Sequence, residues 1–342
     1  MKFNFNFKPI LRISTLCAAA VMFSSSAIAE TELVLSSWLP PTHPLVKNAI
    51  EPWAAQVSEA TDGRVTVRVM GRPLGPPPAH FDLAKDGVAD ITYGLHSFNK
   101  DNRFLRSRVG QFSFLGDDAS IASQAFWKVY SEQLDAQAEH EGVKLLSLFL
   151  HGPGMFNTGD RKIETAESFS GLKIRTPGGY IAELSQALGS VTLFMSPGEV
   201  FEKLSRGVID GVTFPYEGLK AFRLTGHIDY TMKVPGGLYN TSWFLVLNEG
   251  MWSKISSKDQ AAIEAISGVA FAKLAGQAWN GADEGGLAAM KKAGIDIYDA
   301  PESVLNTIKQ KAGPLEAAWF AAVKDSGFDG EAALDSLRAT AN

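Results

Sequence analysis

The side chains able to do chemistry are scattered along this chain rather than grouped. Six histidines stand at 43, 80, 96, 140, 151 and 227, with no spacing that a metal site uses. Glu139-His140-Glu141 joins ligand-type groups, but adjacent positions on a helix face different ways. Asp117-Asp118 sits in a Gly-Asp-Asp turn, where a structural role is expected. Asn240-Thr241-Ser242 fits the glycosylation pattern, a three-residue match that by itself carries little weight. There is no G-x-S-x-G elbow, no Gly-rich phosphate loop and no H-E-x-x-H. No catalytic residue, metal ligand or cofactor is therefore assigned. Arg175 differs through its setting. Gly171-Leu-Lys-Ile-Arg175 reads as a short strand, and Thr176-Pro-Gly-Gly179 precedes a helix starting near Tyr180. An arginine at the carboxyl end of such a strand stands where open α/β sheets bind ligands. Its fork matches a carboxylate bidentately at any working pH. Taken alone, a structural arginine is the commoner explanation of such a residue.

The elements around it alternate. Glu32 to Trp38 is strand-like and stops at Leu39-Pro40-Pro41. Leu45 to Ala60 has helical spacing ended by Gly63, and Arg64 to Met70 alternates like a second strand. This β-α-β opening predicts an open, mostly parallel sheet. Leu83-Ala-Lys-Asp-Gly-Val-Ala-Asp-Ile-Thr-Tyr93 and Leu204-Ser-Arg-Gly-Val-Ile-Asp-Gly-Val-Thr-Phe214 share one grammar: helix end, Gly87 or Gly207, Val-x-Asp, then a strand. Either this is coincidence in a common connection or the chain holds two similar α/β lobes. Ser196-Pro197-Gly198-Glu199 reads as a capping box opening the second copy's helix, and Ser257-Lys-Asp-Gln260 as another. From there Ile263, Ile266, Val269, Phe271, Leu274 and Trp279 mark the core stripe of one long helical segment. No low-complexity linker separates the lobes, so strand-like crossings forming a hinge are expected.

Of the 342 residues, 45% are hydrophobic and 20% charged, which excludes disorder. Residues 1–29 read as a secretory signal peptide: Lys2, Lys8 and Arg12, an apolar run from Ile13 to Phe23, and an A-x-A site at Ala27-Ile28-Ala29. The run is too short to span a membrane. Cleavage there starts the mature chain at Glu30 and removes Cys17, the one cysteine. It also leaves 29 basic residues against 37 acids, a net charge of −8. No basic stripe is present, so nucleic acid is not an expected partner. An acidic, cysteine-free exported chain suits the bacterial periplasm.

Gly171-Leu-Lys-Ile-Arg-Thr-Pro177, then Ser196-Pro-Gly-Glu-Val-Phe201, then Gly207-Val-Ile-Asp-Gly211 resembles the TRAP (tripartite ATP-independent periplasmic) transporter solute-binding proteins. The likeness continues in His43-Pro44, Pro73-Leu-Gly75, Phe112-Ser-Phe-Leu115 and Phe244-Leu-Val-Leu-Asn-Glu249 before Trp252. It spans nearly the whole mature chain. The resemblance implies an α/β, two-lobed periplasmic binding protein of type II-like organisation, with a hinge and a ligand cleft between the lobes. Lobe I would hold 30–152 plus about 243–282, and lobe II 153–242 plus about 283–342. It also implies a monomer that closes on an organic acid and delivers it to membrane permease subunits.

The family's carboxylate-binding arginine falls on Arg175, and its asparagine before the LVxNE-like strand on Asn240. Elsewhere this chain departs from the family. Phe214 of Val212-Thr-Phe214-Pro215 stands where relatives often have asparagine, and Met155 where sialic-acid-type members have a second arginine. Trp38, Leu95 and Pro76 occupy other polar ligand positions. These changes share one direction: they penalise unpaired hydroxyls and a second carboxylate while rewarding apolar surface. An aromatic or bulky apolar monocarboxylate is expected, with His96, His151 and Asn240 serving ring substituents or an oxo group. The alternative is that Trp38 and Phe214 fill the space and leave room only for a short acid. Two other readings stay open: a similar module serving a sensor or other transporter, and a secreted hydrolase of small esters or amides.

Overall fold

The computed structural model describes residues 1–4, 30–99 and 101–341. Apart from its first four residues, the expected signal peptide lies outside the described residues. Two sheets carry the fold. The first contains β1 (Thr31–Ser36), β2 (Val65–Val69), β3 (Ile91–Leu95) and β4 (Val143–Leu150). The second contains β5 (Met155–Thr158), β6 (Lys173–Thr176), β7 (Val191–Phe194), β8 (Gly211–Phe214) and β9 (Tyr230–Lys233). The chain then returns to the first sheet as β10 (Ser242–Asn248) and adds β11 (Asp296–Asp299) to the second. The strand orders are β2-β1-β3-β10-β4 and β11-β9-β5-β8-β6-β7.

Each sheet is mixed, where the opening pattern predicts a mostly parallel one. The reversed strand is in each case the one that has just crossed from the other lobe. β10 is antiparallel to β3 and β4, and β5 is antiparallel to β8 and β9. A strand arriving through the hinge starts at the cleft, whereas the parallel strands β3, β6 and β8 end there.

The repeated grammar has a common structural job. Gly87 and Gly207 take φ of +70° and +65° after their helices, a conformation that suits glycine. The aspartate that follows brackets the neighbouring parallel strand. Asp90 Oδ2 accepts the Val34 N–H at 2.7 Å, and Asp210 Oδ2 accepts the Lys173 N–H at 2.8 Å. Their own N–H groups donate to Val34 O and Lys173 O. The capping box at Ser196 and Glu199 is formed in both directions.

Two helix boundaries differ from the sequence pattern. The segment from Leu45 opens as a π turn, Val46–Ile50, before the helix Glu51–Ala60. Pro52 has no N–H to give the carbonyl four residues back, so the turn there widens. The later helical segment is capped by Ser256, one residue before the expected cap, and breaks at Ser267 into Ser257–Ile266 and Gly268–Ala293.

Three links cross between the lobes: residues 151–154, residues 234–241, and the helix Gly268–Ala293. The first two are joined where the Gly154 N–H donates to Tyr239 O at 2.8 Å. The helix, 26 residues long, packs on Ala119–Gln133 in the first lobe and on Tyr216–Ala221 in the second. It lies close to each at a glycine. A Cβ at Gly276 would meet Ser120 Cα at 2.4 Å, and one at Gly286 would meet Tyr216 O at 2.3 Å. The final helix, Gly330–Ala341, packs on Ala119–Gln133, on the side of the first sheet.

Candidate functional site

A cleft lies between the two sheets, at the ends of β3, β6 and β8 and the start of β10. Its first-lobe wall includes Trp38, Leu39, His43, Leu95, Phe98 and Trp243, and its second-lobe wall Arg175, Pro177, Pro197, Phe214, Glu217 and Phe222. His151, Tyr239, Thr241 and Trp279, on the crossing links, form its floor.

Arg175 stands on β6 and is 1% exposed. Its fork closes on one carbonyl, with Nε and Nη2 donating to Met195 O at 3.0 and 2.9 Å. Nη1 makes a longer bond to Thr213 O at 3.4 Å. The guanidinium lies 4.3 Å from the centroid of the Phe214 ring. Among the described residues, the ion pairs include no carboxylate partner for it. Burial pushes this cation down from its ordinary 12.5 to about 10, while Tyr239 and Glu199 oppose the fall. A cation this buried and held only by carbonyls gains from an anion more than a surface arginine would.

The aromatic walls have their polar tips tied back. Trp38 Nε1 donates to Tyr93 O at 3.1 Å, and Trp243 Nε1 to Thr241 Oγ1 at 2.9 Å. The two indoles stack at 5.5 Å with their planes 7° apart, and Trp279 lies 5.5 Å from Trp243. Such pairs contribute roughly 0.5–1.5 kcal/mol beyond area burial and hold flat faces in place.

Of the residues singled out from sequence, Trp38, Leu95, His151, Arg175 and Phe214 meet in this cleft. Asn240, Met155 and His96 do not line it. Asn240 is buried behind it, donating from Nδ2 to His151 O at 2.6 Å. Met155 faces a separate groove with Asp117, Tyr216 and Lys233.

His96 belongs to an oriented polar chain in the first lobe. His140 Nδ1 faces Ala136 O at 2.7 Å and must donate to it, so neutral His140 Nε2 accepts from His96 Nε2 at 3.0 Å. His96 Nδ1 then accepts from Ser242 Oγ, which accepts from Gln111 Nε2. Burial holds His140 near 4 and His96 well below its ordinary range.

His151 lines the cleft, yet both its nitrogens are engaged. Nδ1 donates to Gly152 O and Nε2 accepts from the Thr241 N–H at 3.2 Å. Burial pushes it down to about 4, so it is a neutral wall.

Sequence reasoning missed Trp243, Trp279, Tyr239, His43 and Glu217. Trp279 sits in an apolar stripe indistinguishable from core, and Trp243 is the second residue of β10, a strand far along the chain from β1 to β4 of its sheet. The available signal was the row Tyr239 to Trp243, adjoining the singled-out Asn240.

The lobes are closed over the cleft. Ser97 Oγ donates to Pro177 O, Arg108 pairs with Glu183, and Phe98 meets Phe194 edge-on at 6.0 Å. Gln111 Oε1 accepts the Tyr180 N–H at the start of a second-lobe helix. The cleft offers about 30 Å³, enough for one or two waters and not for an aromatic ring. Loading therefore requires the lobes to part or the aromatic walls to move.

Comparison with known proteins agrees with this architecture. A TRAP periplasmic solute-binding protein from Bordetella bronchiseptica, with bound (R)- and (S)-mandelate, matches at 37% identity and a TM-score of 0.88, covering 91% of this chain and 98% of that one. One from Rhodoferax ferrireducens in complex with copurified benzoate matches at 27% identity and 0.83, covering 91% and 97%. A marine metagenome protein specific for aromatic acid ligands, in complex with 3-hydroxybenzoate, matches at 28% and 0.84, covering 91% and 98%. The model of bacterial extracellular solute-binding protein family 7 matches residues 35–322. With a two-lobed fold, a closed interlobe cleft and that match over most of its length, the chain belongs to the family 7 solute-binding proteins of TRAP transporters.

Proposed function

We propose that this receptor captures an aromatic monocarboxylate from the periplasm, after cleavage of its export signal, and presents it to a TRAP permease. One observation carries the reading: Arg175 is a fully buried cation without a carboxylate partner among the described residues, in a cleft walled largely by aromatic and other apolar side chains. A carboxylate on Arg175 replaces lost hydration, and a ring between the Trp38 and Phe214 walls buries apolar surface at roughly 25 cal/mol per Å². The mandelate, benzoate and 3-hydroxybenzoate held by the similar proteins support the same ligand class.

Residues of both lobes would touch one ligand, which gives it the higher affinity for the closed form that a closure mechanism requires. In this reading the protein is a carrier and not an enzyme, and it acts as a monomer. Lobe I is 30–152 with about 243–282 and lobe II 153–242 with about 283–342, the last helix reaching across onto lobe I. A thermal-shift screen of organic acids tests the proposal. At about 100 times its dissociation constant a ligand adds roughly 2.7 kcal/mol. Aromatic monocarboxylates should raise the melting temperature. A response confined to dicarboxylates or sugar acids would overturn the reading.

A further inference from the structure

The cleft has a second polar spot that the carboxylate does not use. His43 and Glu217 both line it, the first from the loop after β1 and the second from the helix after β8, at 4% and 5% exposure. His43 Nε2 and Glu217 Oε2 approach to 3.3 Å across the lobes, yet each is buried with no hydrogen-bond partner. Trp279 Nε1, on a ring 5.6 Å from that of His43, is also buried and unpaired. Thus three of the unsatisfied buried atoms belong to neighbouring residues lining one cleft. Unpaired buried polar groups are costly and need an explanation.

The proton positions follow from local geometry. The Leu45 N–H points to His43 Nδ1 at 3.2 Å, so Nδ1 accepts and the neutral ring carries its proton on Nε2. The spot therefore offers a donor from His43, a second from Trp279, and an acceptor from Glu217. From the guanidinium it is reached along the aromatic wall, by steps of 4.3 Å to Phe214, 5.4 Å from Phe214 to Phe222, and 6.4 Å from Phe222 to His43.

We infer that His43 and Glu217 form a hydroxyl subsite, which makes the preferred ligand a ring-hydroxylated aromatic monocarboxylate. A phenol oxygen accepts from His43 Nε2 while its O–H donates to Glu217 Oε2, satisfying both atoms at once. An unsubstituted ring leaves them unpaired, and a second carboxylate meets Glu217 as a like charge. Because His43 belongs to one lobe and Glu217 to the other, the hydroxyl also ties the lobes together. This inference rests on the aromatic-acid reading above.

Calorimetric titration with benzoate, 3-hydroxybenzoate and 4-hydroxybenzoate tests it. At least one hydroxylated acid should bind about ten-fold or more tightly than benzoate. In Glu217→Met that preference should vanish, the hydroxylated acid losing about ten-fold more affinity than benzoate does. If Glu217→Met does not fold by circular dichroism, Glu217→Gln with His43→Gln should reduce the same ratio. Benzoate binding without any hydroxyl preference would overturn the subsite and leave the aromatic-acid reading intact. Equal weakening of all three acids in the variants would overturn it too, since the pair would then only latch the lobes. Binding of none of the three to the unaltered protein would remove both readings.

Discussion

Replacing Arg175 with glutamine should separate stability from binding. The guanidinium is 1% exposed, and burial lowers it from 12.5 to about 10. At about 1.4 kcal/mol per pH unit this corresponds to roughly 3 kcal/mol of penalty on the charged form in the ligand-free protein. Glutamine removes the charge and keeps an N–H donor for Met195 O, the carbonyl that takes the two shorter bonds. Losing the 3.4 Å bond to Thr213 O costs at most about 1–3 kcal/mol. The Arg175→Gln protein should therefore be as stable as the parent or more so. Binding should behave oppositely. Two charge-assisted hydrogen bonds contribute about 1.5–3 kcal/mol each, so affinity for benzoate should fall by about 10²- to 10⁴-fold. Urea unfolding without ligand, beside calorimetric titration, reads both quantities on one preparation. A variant several kcal/mol less stable that still binds benzoate would refute the reasoning, because Arg175 would then be a structural residue.

Two further outcomes follow from the same geometry. His140 and His151 are held neutral near 4 against an ordinary 6.5, so the stability they contribute is present above 6.5 and lost as pH falls toward 4. Urea unfolding of His140→Asn should lose about 3 kcal/mol less than the parent over that window, and an unchanged slope would contradict the neutral-pair assignment. Gly286→Ala puts a Cβ 2.3 Å from Tyr216 O, beside the helix that carries Glu217. It should cost about 1–3 kcal/mol in unfolding and weaken ligand binding, whereas a neutral effect would show that the hinge helix is not tightly docked.

Much of the lobe architecture was legible because local rules and long-range packing agree there. Gly87 and Gly207 turn in the same way, and Asp90 and Asp210 bracket parallel strands identically, so a two-copy pattern became two similar lobes. Arg175 was legible because strand, Pro-Gly-Gly and helix place it at a sheet's carboxyl end. The mixed sheets were not, since the direction of β5 and β10 is set by the hinge crossings and not by their own residues. The aromatic floor was hidden for a related reason. Trp279 has the spacing of a core residue, and only the meeting of a hinge helix with both lobes makes it line a cleft. His96 shows the converse: it was expected to serve a ring substituent or an oxo group, but pairing with His140 draws it into the first lobe.

The central claim is that an aromatic acid lies between the lobes with its carboxylate on Arg175. A co-crystal structure with benzoate tests it most directly. The account predicts both carboxylate oxygens within hydrogen-bond distance of the Arg175 guanidinium and the ring between Trp38, Trp243 and Phe214. A carboxylate bound away from Arg175, or a ring outside this cleft, would contradict it.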